Sequence, residues 1–496
     1  MVESDANSLA SRAKSGDPEA AEEYALELLS AAPPGSGSFR EGMDWLERAI
    51  EAGRLSALLI KGNVHLQHAS LENAGSVARQ CYEDAARAGD PAAVERLADL
   101  YQFGYGVAED PAKTFSLYRQ LAGYGFPSVL CQTAYLYSEG IGCDRDEVEA
   151  SNLVLRAAAQ GHTLAFVLAS LRYGQGSGVP VDATIAAAWM ELASARGFPG
   201  AESRWQGMLE GLDENSRNRS RELADEIKQN LRTLGQQLRA LSIGEDDPEY
   251  LTRFNELVEQ NYAELALAEL SLQPDTRGFE IRRRGPRSFS PEACSWSPRV
   301  FRIPGFASEE EIAHLLDSAQ PLLVGTAEAR EQARKAVEID AFDGECAIIA
   351  QHLATPVTRN LTARFALVTQ VGQKHFEPMS VLRYSVGHEY SPHVDYFDAE
   401  RMERHREVGD FGGQRIMTAL IHLIVAESGG ETFYPASDTV VDGAPGTAVI
   451  HHNAKPDGLG DPASLHQGRP IDAGEKWLAR TAIREAPLYD NELVTL

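Results

Sequence analysis

The sequence predicts two architectures in one chain: an all-α solenoid of helical repeats, then an α+β domain of short strands that suit a sandwich or jelly roll. Three observations lead there. Gly53, Gly89, Gly125, Gly161 and Gly197 recur at a spacing of 36 residues. After Trp296 the texture changes to short β-prone runs broken by Gly, Pro, Asp and Asn. At 496 residues the chain exceeds what a single hydrophobic core serves. The expected division is a polar tail over residues 1–17, repeats over 18–211, a helical connector over 212–295, the second domain over 296–488 and a tail over 489–496.

Several residue types keep the repeat register. Gly104, Gly140 and Gly176 share it, as do Gly106, Gly142 and Gly178, Tyr101, Tyr137 and Tyr173, and Asp110, Asp146 and Asp182. Between the glycines, runs such as Ala93 to Tyr101 and Ala112 to Leu121 place Ala and Leu three and four apart, the spacing of one buried helical face. The paired glycines mark where one helix ends and the chain turns sharply. Each unit is thus a helix–turn–helix that cannot bury its apolar side alone, so neighbours stack. The stretches AVERLADLYQFGYGVAEDPAKTFSLYRQLAGYGF and VLCQTAYLYSEGIGCDRDEVEASNLVLRAAAQGH resemble Sel1-type repeats, relatives of the tetratricopeptide class. The resemblance covers roughly residues 18–211, with two degenerate units first, and implies a protein-interaction scaffold.

From about Leu212 the register is lost, while polar helical stretches continue over Arg217 to Leu241 and Pro248 to Leu272, broken at Gly244 to Pro248. Arg282 to Arg284 and Arg287 form a short basic run that reads as a solvated linker.

In the last third, helices are expected at Glu309 to Ala319 and Glu345 to Leu353. Strands are expected at Val381 to Tyr384, Met417 to Val425, Thr439 to Val441 and Thr447 to His451. His393 and Asp395 lie two apart, which on an extended chain points both side chains to one side. His466 follows 73 residues later. Two imidazoles and one carboxylate with open positions are the ligand pattern of non-haem iron(II) oxygenases. A lone H-x-D carries little weight, since about one is expected by chance in a chain with 13 histidines. Lys476, ten residues past His466, supplies a cation suited to the far carboxylate of a dicarboxylate held by the metal. His451 and His452 alternate faces on a strand, so at most one points inward, and both read as structural, as does His375.

Together these residues sit in stretches similar to prolyl 4-hydroxylases: MSVLRYSVGHEYSPHVDYF from Met379, GGQRIMTALIHL from Gly412, GGETFYP from Gly429, KPDGLGDPASLHQGRP from Lys455 and GEKWLAR from Gly474. The segment SPRVFRIPGFASEEEIAHLL resembles the opening of that domain, so the likeness spans roughly residues 296–488. It implies a double-stranded β-helix (jelly-roll) core, iron(II), 2-oxoglutarate and ascorbate dependence, and hydroxylation of a peptidyl residue with release of succinate and carbon dioxide. On the same resemblance His393, Asp395 and His466 match the iron ligands. Lys476 matches the lysine on the 5-carboxylate of 2-oxoglutarate, with Tyr384 and Thr432 beside it, while Tyr390 and Arg415 match positions near the peptide and the reactive centre.

Three residues depart from that family: His388 stands for Gln, His422 for Tyr, and Ala482 for a Trp near the peptide groove. The Ala482 departure bears on peptidyl proline as substrate and leaves metal and co-substrate binding untouched. Alternatives are an oxygenase acting on a small molecule or another side chain, and an inactive fold serving as an adaptor for the repeats. A net charge of −27 disfavours nucleic acid or an anionic membrane as partner. No stretch approaches the ~20 apolar residues of a membrane span. The acidic start is unlike a signal peptide, and five scattered cysteines without C-x-x-C spacing fit a reducing cytoplasm. The expected partner is a protein or peptide substrate recruited by the repeats.

Overall fold

The computed structural model describes residues 9–32, 34–67, 73–240, 253, 255–260, 289–325, 342–350, 353–407, 412–455 and 457–488. Helices α1 (Pro18–Ala31), α2 (Gly37–Glu51), α3 (Leu55–Gln67), α4 (Ala74–Arg87), α5 (Pro91–Phe103), α6 (Pro111–Ala122), α7 (Pro127–Glu139), α8 (Glu147–Ala159), α9 (Thr163–Gln175), α10 (Ala183–Ala195) and α11 (Ala201–Glu210) follow one another along the repeats and are succeeded by α12 (Glu214–Ala240). Residues up to Val129 with Glu139–Arg145 belong to one compact unit, Leu130–Ser138 and Asp146–Leu488 to another.

The repeat register has a physical reading. Asp110, Asp146 and Asp182 cap α6, α8 and α10, their carboxylates accepting one, two and two backbone N–H groups of the first turn. Their own N–H groups donate to the carbonyls of Tyr101, Tyr137 and Tyr173 at 2.9, 3.0 and 2.9 Å, which closes each inter-helix loop identically. Gly178 sits in that loop at φ +71°, where a Cβ would lie 1.9 Å from the Glu147 carbonyl oxygen. Backbone touches backbone there, so only glycine fits.

The C-terminal domain contains α13 (Glu309–Ala319), α14 (Pro356–Thr369) and α15 (Ala399–Glu407). Its strands are β1 (Glu292–Trp296), β2 (Arg299–Ile303), β3 (Val324–Gly325), β4 (Glu345–Ile349), β5 (Met379–Tyr384), β6 (Tyr390–His393), β7 (Arg415–Ile424), β8 (Ser428–Gly429), β9 (Thr432–Tyr434), β10 (Thr439–Val441), β11 (Ala448–His452), β12 (His466–Gly468), β13 (Ile471–Ala473) and β14 (Lys476–Arg484). An eight-stranded sheet runs β1-β2-β11-β7-β14-β5-β4-β3, a four-stranded one β10-β9-β12-β6, and β13 pairs with β8. The paired strands are antiparallel. Val300, Leu420 and Val449 of the larger sheet pack against Tyr434 and Val441 of the smaller, giving the jelly-roll sandwich. Strand β14 is buried along its whole length on both faces.

One expected element is corrected. Glu345 to Leu353 does not form a helix: Glu345–Ile349 is strand β4, paired with β5 from Glu345↔Arg383 to Ile349↔Met379. Burial of Cys346, Ala347 and Ile349 in the sheet outweighs the local helical preference. The connector helix begins at Glu214, three residues before Arg217. Within the expected stretch Pro248 to Leu272 only residues 253 and 255–260 are described, and they are helical. The break at Gly244 to Pro248 and the basic run Arg282 to Arg284 with Arg287 lie outside the described residues. Among the described residues, no helix is long and apolar enough to cross a membrane.

Within the second unit, the last repeats and α13 share buried polar groups. The Tyr135 hydroxyl donates to Glu311 at 2.8 Å and accepts from the Asn360 amide at 2.6 Å, while Arg364 pairs with Glu311 at 2.8 Å. Arg172 pairs with Glu147 at 3.3 Å and with Glu310 at 3.5 Å.

Candidate metal and co-substrate site

Antiparallel pairing of β6 with β12 sets His393 directly opposite His466. Asp395 lies two residues past His393, just beyond the strand end. The three side chains offer ligand atoms all within 4.8 Å of one another. Asp395 and His466 are buried and His393 is partly so. The His393 Nδ1 faces the Ser391 carbonyl at 2.8 Å, and the His466 Nδ1 faces that of Ser464 at 2.9 Å. Each carbonyl fixes an Nδ1–H tautomer and leaves Nε2 as an acceptor pointing inward. The Tyr390 ring stacks on His393 with centroids 3.7 Å apart.

Asp395 is held from the larger sheet. Thr418 of β7 donates to its Oδ2 at 2.6 Å, His451 Nε2 of β11 lies 3.3 Å from the same oxygen, and Arg480 Nη2 of β14 donates to Oδ1 at 2.7 Å. Behind them, Asn453 donates to Thr418 at 2.9 Å, and Tyr434 shares a 2.6 Å hydrogen bond with His451 Nδ1. Burial would push the Asp395 carboxyl up, but the Arg480 charge, then the His451 hydrogen bond, hold it well below the ordinary range. Burial, aided by the neighbouring imidazoles, pushes His466 well below its usual value, and burial lowers His393 as well. The triad is therefore two neutral imidazoles and one carboxylate, the protonation state a metal requires.

Deeper along β14, Lys476 is buried and donates to the Gly430 carbonyl, with its ammonium 5.6 Å from the Tyr384 ring centroid. Burial pushes Lys476 down to about 8. Thr432 is buried on β9, opposite Gly468 of β12. His422 is buried, and burial together with the Lys476 charge pushes it down to about 3. Neither of its ring nitrogens has a hydrogen-bond partner among the described residues.

The structure thus gathers His393, Asp395, His466 and Tyr390 in one place, with Lys476 and Tyr384 beside them. Arg415 pairs with Glu377 at 2.7 and 2.8 Å, and Arg484 joins the same carboxylate at 3.0 Å. Of the three departures, Ala482 shares the β14 face of Lys476 and Arg480, while His388 accepts the Ser385 N–H at 3.2 Å. His375 contacts the Arg484 carbonyl, away from the triad. Sequence reasoning missed Thr418, Asn453, Tyr434 and Arg480. Arg480 had a usable signal, because it lies four residues beyond Lys476 and strand alternation puts both on one face.

The sequence matches the Sel1 repeat over residues 18–53, 91–122, 127–162 and 165–198. Prolyl 4-hydroxylase 1 of Arabidopsis thaliana is 30% identical over 234 residues, which span 44% of this chain and 80% of that relative. Prolyl 4-hydroxylase 13 of the same plant is 30% identical over 209 residues, 38% of this chain and 73% of the relative. The viral collagen prolyl hydroxylase of Paramecium Bursaria Chlorella virus-1, solved as a 2OG complex, is 24% identical and covers 37% of this chain and 95% of its own, with a TM-score of 0.28. A Sel1 repeat protein from Oxalobacter formigenes is 22% identical and covers 53% of this chain and 75% of its own, with a TM-score of 0.37. At 30% identity over four fifths of a relative's length, and with its N-terminal side made of Sel1 repeats, the chain belongs to the prolyl 4-hydroxylase family of dioxygenases.

Proposed function

We propose that the chain is an iron(II)- and 2-oxoglutarate-dependent dioxygenase that hydroxylates a peptidyl residue, proline first, consuming dioxygen and releasing succinate and carbon dioxide. One observation carries this reading: the ligand atoms of His393, Asp395 and His466 converge within 4.8 Å of one another, with two of the three residues buried. The donor set fits iron(II), since imidazole and carboxylate suit a borderline divalent ion and three ligands leave positions for other molecules. When bound, iron supplies the centre at which the keto-acid and dioxygen react.

The protein's own groups do the rest. Ser391 and Ser464 aim the two Nε2 atoms, and Thr418 with His451 orients Asp395. Lys476 would receive the far carboxylate of 2-oxoglutarate, exchanging its bond to the Gly430 carbonyl for a charge-assisted one, with Tyr384 and Thr432 as companions. The buried tyrosines Tyr384, Tyr390 and Tyr434 exclude water from the reacting groups. Arg415, locked to Glu377, would act near the peptide as a fixed part of the wall. Ascorbate enters as reductant on the family likeness alone.

Ala482, buried on the site face, supports a second reading of the substrate: a small residue there widens the room beside the target, which suits a different side chain or a small molecule. The repeats would recruit the protein target, and five free cysteines fit a reducing cytoplasm. Incubation with iron(II), 2-oxoglutarate and ascorbate should release succinate, and a target should gain ~16 Da, one oxygen. The His466→Ala variant should do neither. Absence of succinate from the folded, iron-loaded wild type would leave the repeats as the working part.

A further inference from the structure

The geometry points to a second binding site, a cavity between α9, α10 and α12 that takes an acidic segment of a protein partner carrying one bulky apolar residue. This deepens the recruitment part of the function proposed above and rests on that reading only in calling the partner a target. The cavity holds about 450 Å³, within the usual size of a ligand pocket. Its floor is apolar: Phe166 and Leu192, both buried, and Leu231. Its rim is basic, with Arg196 at the end of α10 and Lys228 and Arg232 on α12. Lys228, Leu231 and Arg232 are three and four apart, so one face of α12 serves both floor and rim.

The charges select the occupant. Lys228 is paired with Glu191 at 3.0 Å and Asp225 at 3.2 Å. Arg196 and Arg232 are exposed and have no side-chain partner among the described residues. The chain holds 73 acidic residues against 46 Lys and Arg, so two unpaired guanidiniums at one apolar cavity stand out. Each presents a planar fork of donors that fits a carboxylate. At 0.1 M salt the remaining negative charge is screened beyond about 10 Å, and the local cations decide. Two exposed cations on different helices call for two carboxylates, with an apolar group between them to fill the floor. A segment of chain offers that arrangement. The cavity also adjoins the oxygenase domain: the Gly197 carbonyl accepts from the Gln320 amide at 3.4 Å, and a Cβ on Gly200 would lie 3.3 Å from Ile424, the last residue of β7. A segment seated here is held beside the domain that would modify its neighbouring residues.

The test titrates the full chain, without iron or 2-oxoglutarate, into the peptide acetyl-Glu-Asp-(4-fluorophenylalanine)-Asp-Glu amide. Binding is read from broadening of the fluorine resonance, so the result is independent of catalysis. Wild type should broaden it. The unlabelled Phe peptide should compete, and the same peptide with Ala in place of Phe should compete at least about tenfold less well. Arg196→Glu and Arg232→Glu, at exposed positions and with unchanged thermal melts, should each weaken binding at least about tenfold, the worth of one charge-assisted hydrogen bond. Arg119→Glu, on α6, should bind as wild type does. Folded wild type that leaves the resonance unchanged overturns the inference. So does either cavity variant that binds like wild type, or Arg119→Glu that weakens binding as much as they do. Dodecanoate that binds wild type, loses to the same two variants and meets no competition from the peptide assigns the cavity to a small amphiphile and likewise overturns it. Absence of succinate release bears on the oxygenase reading alone.

Discussion

Asp395 and Lys476 are charged side chains buried far from bulk water, and each survives there through named partners. For Asp395, replacing Thr418 with Val removes a 2.6 Å donor and leaves the Asn453 amide without that acceptor. Metal affinity should fall about 10–100-fold, the usual loss when a group behind a metal ligand is removed, as a Mn²⁺ titration would read. For Lys476, burial places the ammonium at about 8, so it is charged at neutral pH and loses its proton as pH rises through that value. Affinity for 2-oxoglutarate in the metal-loaded protein should therefore decline between pH 7 and 9. Lys476→Gln should lose about 10–100-fold at pH 7, the worth of one charge-assisted hydrogen bond, and show no such decline. Calorimetry at the two pH values distinguishes these outcomes. The triad and Lys476 were legible in the sequence because their chemistry is tied to residue type and short spacing. Thr418 was not, because a threonine in an apolar run looks like any β-former, and its partner is set by sheet pairing across 23 positions.

At the scale of elements, the solenoid was the most legible part, since a repeated loop demands repeated glycines and capping aspartates. Gly178→Ala should cost at least ~2 kcal/mol, combining a left-handed backbone with a Cβ forced against a carbonyl. A thermal melt would show it, and an unchanged midpoint would mean that the loop stands clear of the Glu147 carbonyl. Strand β4 was misread because Glu345, Cys346 and Ala347 carry no strand signature of their own. Their state is decided by pairing with β5, a partner more than 30 residues away. His451 shows the same limit: alternation allowed at most one of two histidines to point inward, and only the sheet decided which.

For the whole molecule, the sequence predicts repeats followed by an oxygenase domain, with the boundary in a helical connector. The second compact unit ties Tyr135 and Arg172 of the repeats to Glu311 and Glu310 of α13. Buried ionic groups of this kind lend specificity and are costly to break singly. Arg364→Met, which strands the buried Glu311, should destabilise the protein by about 3–5 kcal/mol in denaturant unfolding. Deleting residues 1–211 would remove both Tyr135 and Arg172, so the remaining chain should unfold at lower denaturant than the intact protein. Loss of turnover in such a truncation would then report folding rather than recruitment. No sequence pattern announced these contacts, because each partner lies more than 130 residues from the other.

The central claim is that a metal held by His393, Asp395 and His466 and an ammonium at Lys476 jointly bind a keto-diacid. Anaerobic calorimetry of 2-oxoglutarate with iron(II)-loaded protein tests it most directly. Wild type should bind, metal-free wild type and His466→Ala should not, and Lys476→Gln should bind far more weakly. Folded, iron-loaded wild type that takes up no 2-oxoglutarate, or His466→Ala that binds it as wild type does, would contradict the account.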